Sequence, residues 1–292
     1  MNEIPLKIQK RRTVLDFIIQ QPLGFIGLIM IIIMFTAAIF APHVAPFNPE
    51  DVDFEASPAL GGGQPSWDHL LGADAFGRDI LSRLIYGART ALSIGFLSAM
   101  LGCTVGAIIG TTSAFYGGKV DLLIQRFIDL MLSFPIVVLA IVVIAIFPKT
   151  VVVIDINVII AIAIPFTPKV ARVIRAQALT IVTLPYIDAA KASGYSASRI
   201  IFRHILPNVT APYLIMLTAF IGQAILLEAS LSYLGLGVVE PTPSWGLMLS
   251  GVNSDYYRTC LLYTSPSPRD ATLARIKSSA LKKKMVGGGG WG

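Results

Sequence analysis

Charge is the first thing in short supply. Only 14% of the 292 residues are charged, while 54% are hydrophobic; a soluble domain carries roughly 25% charged residues. A globule of this composition would lack the polar surface to cover its own apolar side chains. A water-soluble fold is excluded, and lipid becomes the solvent. Cysteine is nearly absent. Cys103 and Cys260 cannot make a disulfide framework and have no metal-type neighbours, so Cys103, inside an apolar run, reads as a small packing residue. The three histidines, His43, His69 and His204, are too scattered for a metal centre or a catalytic triad. No phosphate-binding loop of the form G-x-x-x-x-G-K-[ST] is present, since Gly118-Lys119 is followed by Val120, so the chain is not expected to hydrolyse ATP itself. Catalytic residues, bound cofactors and metal ligands are therefore all expected to be lacking.

What is there is a series of long apolar runs. Pro22 to Ala41 is 20 uncharged residues, about 30 Å of helix and enough to cross a hydrocarbon core. A second run extends from Thr90 to Gly118, a third from Leu130 to Pro148, and a weaker fourth from Thr150 to Pro168, interrupted by Asp155 and holding Pro165 and Pro168. A fifth begins at Pro207 to Ala211 and stays uncharged to Leu227. The expected fold is all-α: a multi-pass transmembrane helical bundle with five visible spans. The first run is too long for a cleavable signal peptide and is closed by no small-residue cleavage site.

The net charge of +6 could suggest nucleic acid. The basic residues instead lie in short stretches between apolar runs, as in cytoplasmic loops, so no nucleic-acid partner is expected. Lys7, Lys10, Arg11 and Arg12 precede the first span and assign residues 1–21 to the cytoplasm. Residues 43–89 then form an external loop, rich in Pro and Gly up to position 75, with 76–89 expected as a helix lying on the membrane surface. Residues 169–207, holding Lys169, Arg172, Arg175, Lys191, Arg199 and Arg203 against Asp188 alone, form an internal loop. Gly102, Gly106 and Gly110 in the second run are spaced for close helix packing, expected against a partner subunit. Glu228 ends the fifth run, and an acid at that depth is a candidate for the transport pathway.

From Cys260 the composition changes. CLLYTSPSPRD resembles the translation of a DNA-library adapter, and the lysine and glycine runs after it are what poly-A and poly-G would encode. Residues 260–292 are expected to be a non-native read-through tail that replaces a sixth span, leaving 22–258 as the membrane domain.

The internal loop carries the mechanism. Pro185 can open a helix, and Asp188 then lies near its positive end. Gly194 permits a change of direction. Ser196 or Ser198 can cap a second short helix with Ile200, Ile201 and Ile205 on one face, which Pro207 closes. Two short helices with small residues at their junction suit docking into a groove on a partner.

The loop resembles the cytoplasmic "EAA" loop of ABC importer permeases: Asp188-Ala189-Ala190, then Gly194, then Leu206-Pro207. Asp stands where that family has Glu, and His204 where an apolar residue is commoner. HLLGADAFGRDILSRLIYGART (His69–Thr90) and LSYLGLGVVEPTPSWGLMLS (Leu231–Ser250) resemble segments of the dipeptide/oligopeptide/nickel permease branch, and the likeness covers about residues 10–258. It implies a type I ABC importer permease fold in a bacterial plasma (inner) membrane. It also implies a second permease subunit, two ATP-binding subunits that hold the ATP, and an external substrate-binding protein. ATPase coupling falls to Asp188, Ala189, Ala190, Gly194, Arg199, Arg203, Leu206 and Pro207. The rival readings are an ion-driven secondary transporter, which calls for internal repeats and charges in several spans, and a non-transport scaffold, which needs no docking motif.

Overall fold

A computed structural model describes residues 22–53, 55–56, 63–146 and 156–250; Asp155, the residues before 22 and the expected read-through tail lie outside the described residues. Among the described residues there is no strand. The helices are α1 (Pro22–Ile39), α2 (Ala41–Val44), α3 (Ile80–Tyr116), α4 (Gly118–Leu132), α5 (Ile136–Ile146), α6 (Ile156–Val182), α7 (Pro185–Ala192), α8 (Ala197–Ile200), α9 (Thr210–Tyr233) and α10 (Trp245–Leu249). Four are long and apolar enough to cross a membrane when α8 and α9 are taken as one continuous run, and the bent pair α4–α5 makes five. The all-α membrane bundle expected from the sequence is present, with four spans, or five when the bent pair is counted.

α1 is apolar all round and buries only Ala38. Such a helix is stable only where lipid or another protein covers it. α3 is the backbone of the bundle. Asp79 caps it by accepting a bond from the Ser82 amide at 2.7 Å, and Gly117, at φ 59°, ends it. Its 37 residues are about 55 Å long. The hydropathy pattern begins this span at Thr90 and predicts a surface-lying helix over 76–89. Residues 80–89 instead continue α3 in one line, with Ile80, Ser82, Arg83, Gly87 and Ala88 buried. Arg83 reads as an interfacial charge in the sequence because one of its acidic neighbours, Glu240, is remote along the chain.

α3 and α6 run side by side in the same direction. A Cβ on Gly102 would lie 2.7 Å from the Ala163 carbonyl, and one on Gly106 2.7 Å from that of Thr167. Gly110 meets Ala171 and Arg175 in the same way. The glycine stripe therefore packs within this chain and not against a partner, which corrects the sequence expectation. Small residues let two backbones approach where lipid offers no hydrophobic drive. Pro165 and Pro168 lie inside α6, both buried; Thr167 sends its hydroxyl to the Ala163 carbonyl at 3.1 Å.

The third span is broken. α4 is amphipathic and α5 wholly apolar, and they meet at 97°, because Pro135 cannot continue a helix through its own missing N–H. α4 is tied to its neighbours by charge: Asp121 accepts from the Arg175 guanidinium on α6 and from the Ser113 hydroxyl on α3, and Asp129 pairs with Arg172. The first part of the expected internal loop 169–207 is helical, since α6 continues through Arg172 and Arg175 to Val182.

Candidate functional site

Two arrangements lie at opposite ends of α3. The first is the joint between α6 and α9. Leu184 is extended, at φ −79° and ψ 140°, and Pro185 stands in the first turn of α7, where its missing N–H leaves nothing unsatisfied. Asp188 falls in that first turn and Lys191 in the last, the favourable ends of the helix dipole for each. The Lys191 ammonium lies 3.2 Å from the Asp188 carboxylate. α7 ends in a Schellman turn: the Tyr195 amide reaches back to Ala190 at 3.2 Å and the Gly194 amide to Lys191 at 2.9 Å. That turn puts Gly194 at φ +76°, a conformation glycine adopts without penalty.

Ser196 occupies the N-cap position of α8, yet neither it nor Ser198 makes a side-chain cap bond; their hydroxyls sit 3.4 Å apart. Beyond α8 the chain stays helical through a π stretch (Ile201–Ile205) and a 3₁₀ stretch (Leu206–Val209) into α9. Pro207 therefore does not close the second helix. It lies within the 3₁₀ stretch, where the proline ring disturbs the pitch without stopping the chain. Ile187, Ala190, Ile200, Ile201 and Ile205 are buried in the core with Ile174 and Ala178 of α6. The apolar stripe expected on Ile200, Ile201 and Ile205 is the underside of the joint. Its outer side exposes Asp188, Ala189, Ala192, Ser193, Gly194, Arg199 and Arg203. Of the eight candidate residues, Ala190 faces inward and Leu206 is half-buried; the others, Pro207 included, are exposed.

The second arrangement, at the far end of α3, was not assembled from the sequence. Arg78 donates from Nε to Asp74 at 2.7 Å and from Nη1 to Glu240 at 2.9 Å. Arg83 is 0% exposed, with Asp74 at 3.9 Å, Glu240 at 3.8 Å and a bond to the Pro49 carbonyl at 3.2 Å. Burial alone would weaken the hold of Arg78 on its proton, but Glu240 and Asp74 more than offset it and raise its pKa above the ordinary arginine range. His69 lies 3.0 Å from Asp79 and 3.5 Å from Asp53. The backbone amide of Glu55 holds the Asp53 carboxyl below its usual range.

Glu228, the candidate pathway residue, is 1% exposed. Its Oε1 accepts from Ser232 at 2.7 Å and from Ser244 at 2.8 Å, while the Trp245 indole donates to the Leu84 carbonyl at 3.0 Å. Glu228 thus pins the segment leading into α10 onto α9. It does not line the apolar groove of ≈ 1050 Å³ between α3, α4 and α6, which is walled by Ile109, Leu123, Phe127, Met131 and Pro168 among others. The sequence held the signal for this arrangement only as two separated motifs, His69–Thr90 and Leu231–Ser250, with nothing to say that they meet.

Comparison with known proteins gives two family matches: binding-protein-dependent transport system inner membrane component over residues 102–264, and N-terminal TM domain of oligopeptide transport permease C over residues 14–61. The chain is 41% identical to the dipeptide transport system permease protein of Alkalihalophilus pseudofirmus, over 78% of this chain and 72% of that one. It is 38% identical to that of Haemophilus influenzae, over 86% and 85%. It is 36% identical to the glutathione transport system permease protein of Pectobacterium atrosepticum, over 78% and 73%.

Proposed function

The chain belongs to the binding-protein-dependent transport system inner-membrane components, in their dipeptide/oligopeptide ABC permease branch, and from that premise we propose that it forms half of the translocation path of an ATP-driven importer and couples to a separate ATPase through residues 186–207. It is a multi-pass protein of the inner membrane. Its solutes are peptides or similar small molecules, as the names of its relatives suggest. Its N-terminus lies in the cytoplasm, in keeping with the basic residues before α1 and around α7–α8. A second permease closes the other half of the path. Two partner subunits bind the ATP, and an external substrate-binding protein docks on residues 43–89 and 235–255.

The observation that carries this reading is the build of the joint between α6 and α9. Its underside is buried and apolar, its upper side offers small residues and cations, and both its ends run into membrane-crossing helices. A neighbour that moves α7 and α8 must move α6, and α6 is packed backbone to backbone on α3. Closure of the ATPase pair pulls these elements together, the bent pair α4–α5 takes up the difference, and the bundle rocks between inward- and outward-open. At the far end the Arg78–Arg83–Glu240 cluster and the Glu228 pins hold the external cap until that motion releases it. No bond of the solute is made or broken.

Gly194 supplies the test. A Cβ there would meet nothing within 4 Å, so a substitution acts only through the positive φ, at about 1–2 kcal/mol. Gly194→Val should abolish substrate-stimulated ATPase turnover while leaving membrane insertion intact; Gly194→Asn, which tolerates that conformation, should keep most of it. Full stimulation in the valine variant would overturn the coupling role.

A further inference from the structure

Beside Gly194 stands a three-part stack. The Arg199 guanidinium lies over the Tyr195 ring, 4.8 Å from its centroid. The His204 ring runs nearly parallel to that of Tyr195, at 17° and 6.1 Å between centroids. The Asn208 amide donates to the His204 carbonyl at 2.6 Å and to the Tyr186 hydroxyl at 3.3 Å, which fixes the base of the stack to α7. Tyr195 remains 43% exposed, so the stack stands on the surface of the joint.

Stacking engages the face of a guanidinium and leaves its N–H edge free. Among the described residues Arg199 has no carboxylate or carbonyl acceptor, in contrast to Arg172 and Arg175, each paired with an aspartate. Arg203, in the π stretch that continues α8, is likewise exposed. Among the described residues the only acid on this face, Asp188, lies against Lys191. The face is therefore a cationic head on an aromatic support, ringed by Ala189, Ala192 and Ser193, which allow close backbone approach.

We propose that Tyr195 and His204 hold the Arg199 guanidinium ready for a carboxylate on the ATPase, whose docking cleft is acidic and floored by apolar side chains. This rests on the coupling role assigned to residues 186–207. Charge complementarity selects the cleft's acids, and the exposed Phe202 ring selects its floor. An anionic lipid surface would satisfy the charges but would have no use for the ring of small residues.

The assembled transporter, reconstituted in vesicles with and without anionic phospholipid, provides the test, with uptake and substrate-stimulated ATPase turnover as readouts. Ser198→Cys cross-linking reports whether the ATPase sits on the joint at all. Tyr195→Phe keeps the stack and should behave as the parent protein. Tyr195→Ala and Arg199→Lys, which keeps the charge but loses the stacked fork, should each lower stimulation about tenfold, with the cross-link still formed. Loss of stimulation with rising salt should be steeper in the parent than in Arg199→Gln, which removes the charge. Parent-level stimulation in both Tyr195→Ala and Arg199→Lys would overturn the proposal, as would a fall in Tyr195→Phe equal to that in Tyr195→Ala. Defects that appear only in vesicles with anionic phospholipid would assign the head to the membrane instead. A cross-link that never captures the ATPase, even in otherwise parental protein, would sink the underlying coupling assignment.

Discussion

Arg83 is the most consequential single side chain at the external end. It is a full charge with no water contact, set between Asp74, also buried, and Glu240, which is part exposed. Removing one member of a buried ionic group leaves the others uncompensated, a loss of about 3 kcal/mol. Arg83→Leu should lower the thermal midpoint of the purified transporter sharply, whereas Glu240→Gln, at a wetter position, should move it much less. Equal shifts would mean that burial is not what makes the cluster matter. Residues of this kind were not legible in the sequence. Arg78 and Glu240 are 162 positions apart, and nothing in either neighbourhood announces the other. Asp188, Ala189, Ala190 and Gly194 were legible as a group because their relation is local, a helix start and a left-handed stop within one short stretch. Glu228 was legible as an unusual acid, but its serine partners come from α9 and from the segment before α10, and only folding brings these together.

At the scale of elements, the five apolar runs gave the helices because lipid enforces length and composition. The runs did not show how helices continue or break. α3 absorbs a stretch of arginines that hydropathy counts against it, and α4–α5 bends at Pro135 although no charge marks the bend. The glycine stripe was recognised as a packing face, but its partner was misassigned: spacing says that something comes close and not what. The face of α6 that answers it, Ala163, Thr167, Val170 and Ala171, lies entirely within three residues of a proline. Gly106→Val should overpack this contact and destabilise the chain by about 2–3 kcal/mol. Gly222→Val, placed where a Cβ would meet nothing within 4 Å, should be close to neutral. Thermal unfolding of the two variants in detergent measures the difference, and a neutral Gly106→Val would refute the tight α3–α6 contact.

For the molecule as a whole, the question is which of its exposed apolar faces meets lipid and which meets protein. α1 exposes almost its entire surface and carries no polar side chain but Thr36, whose hydroxyl is returned to the Ile32 carbonyl; lipid suits it. The groove between α3, α4 and α6 is different. Its walls are apolar, but Thr112, Thr167 and Arg126 also line it, and an ionisable side chain within a membrane bundle ordinarily faces the protein interior or a water-filled cavity. That sets the groove apart from α1: under the proposed function it is the face for the second permease and the solute path. A cysteine at Phe127, combined with a cysteine introduced in the proposed second permease, should form a disulfide with it on oxidation in membranes, and alone should become accessible to a small water-soluble thiol reagent when ATP is cycling. A cysteine at Ile31, on α1, should do neither. If Phe127→Cys reacts only with lipid-soluble reagents, the groove lies against the bilayer. The pairing face would then have to be sought along the exposed side of α9, at Leu214, Ile215 and Leu226.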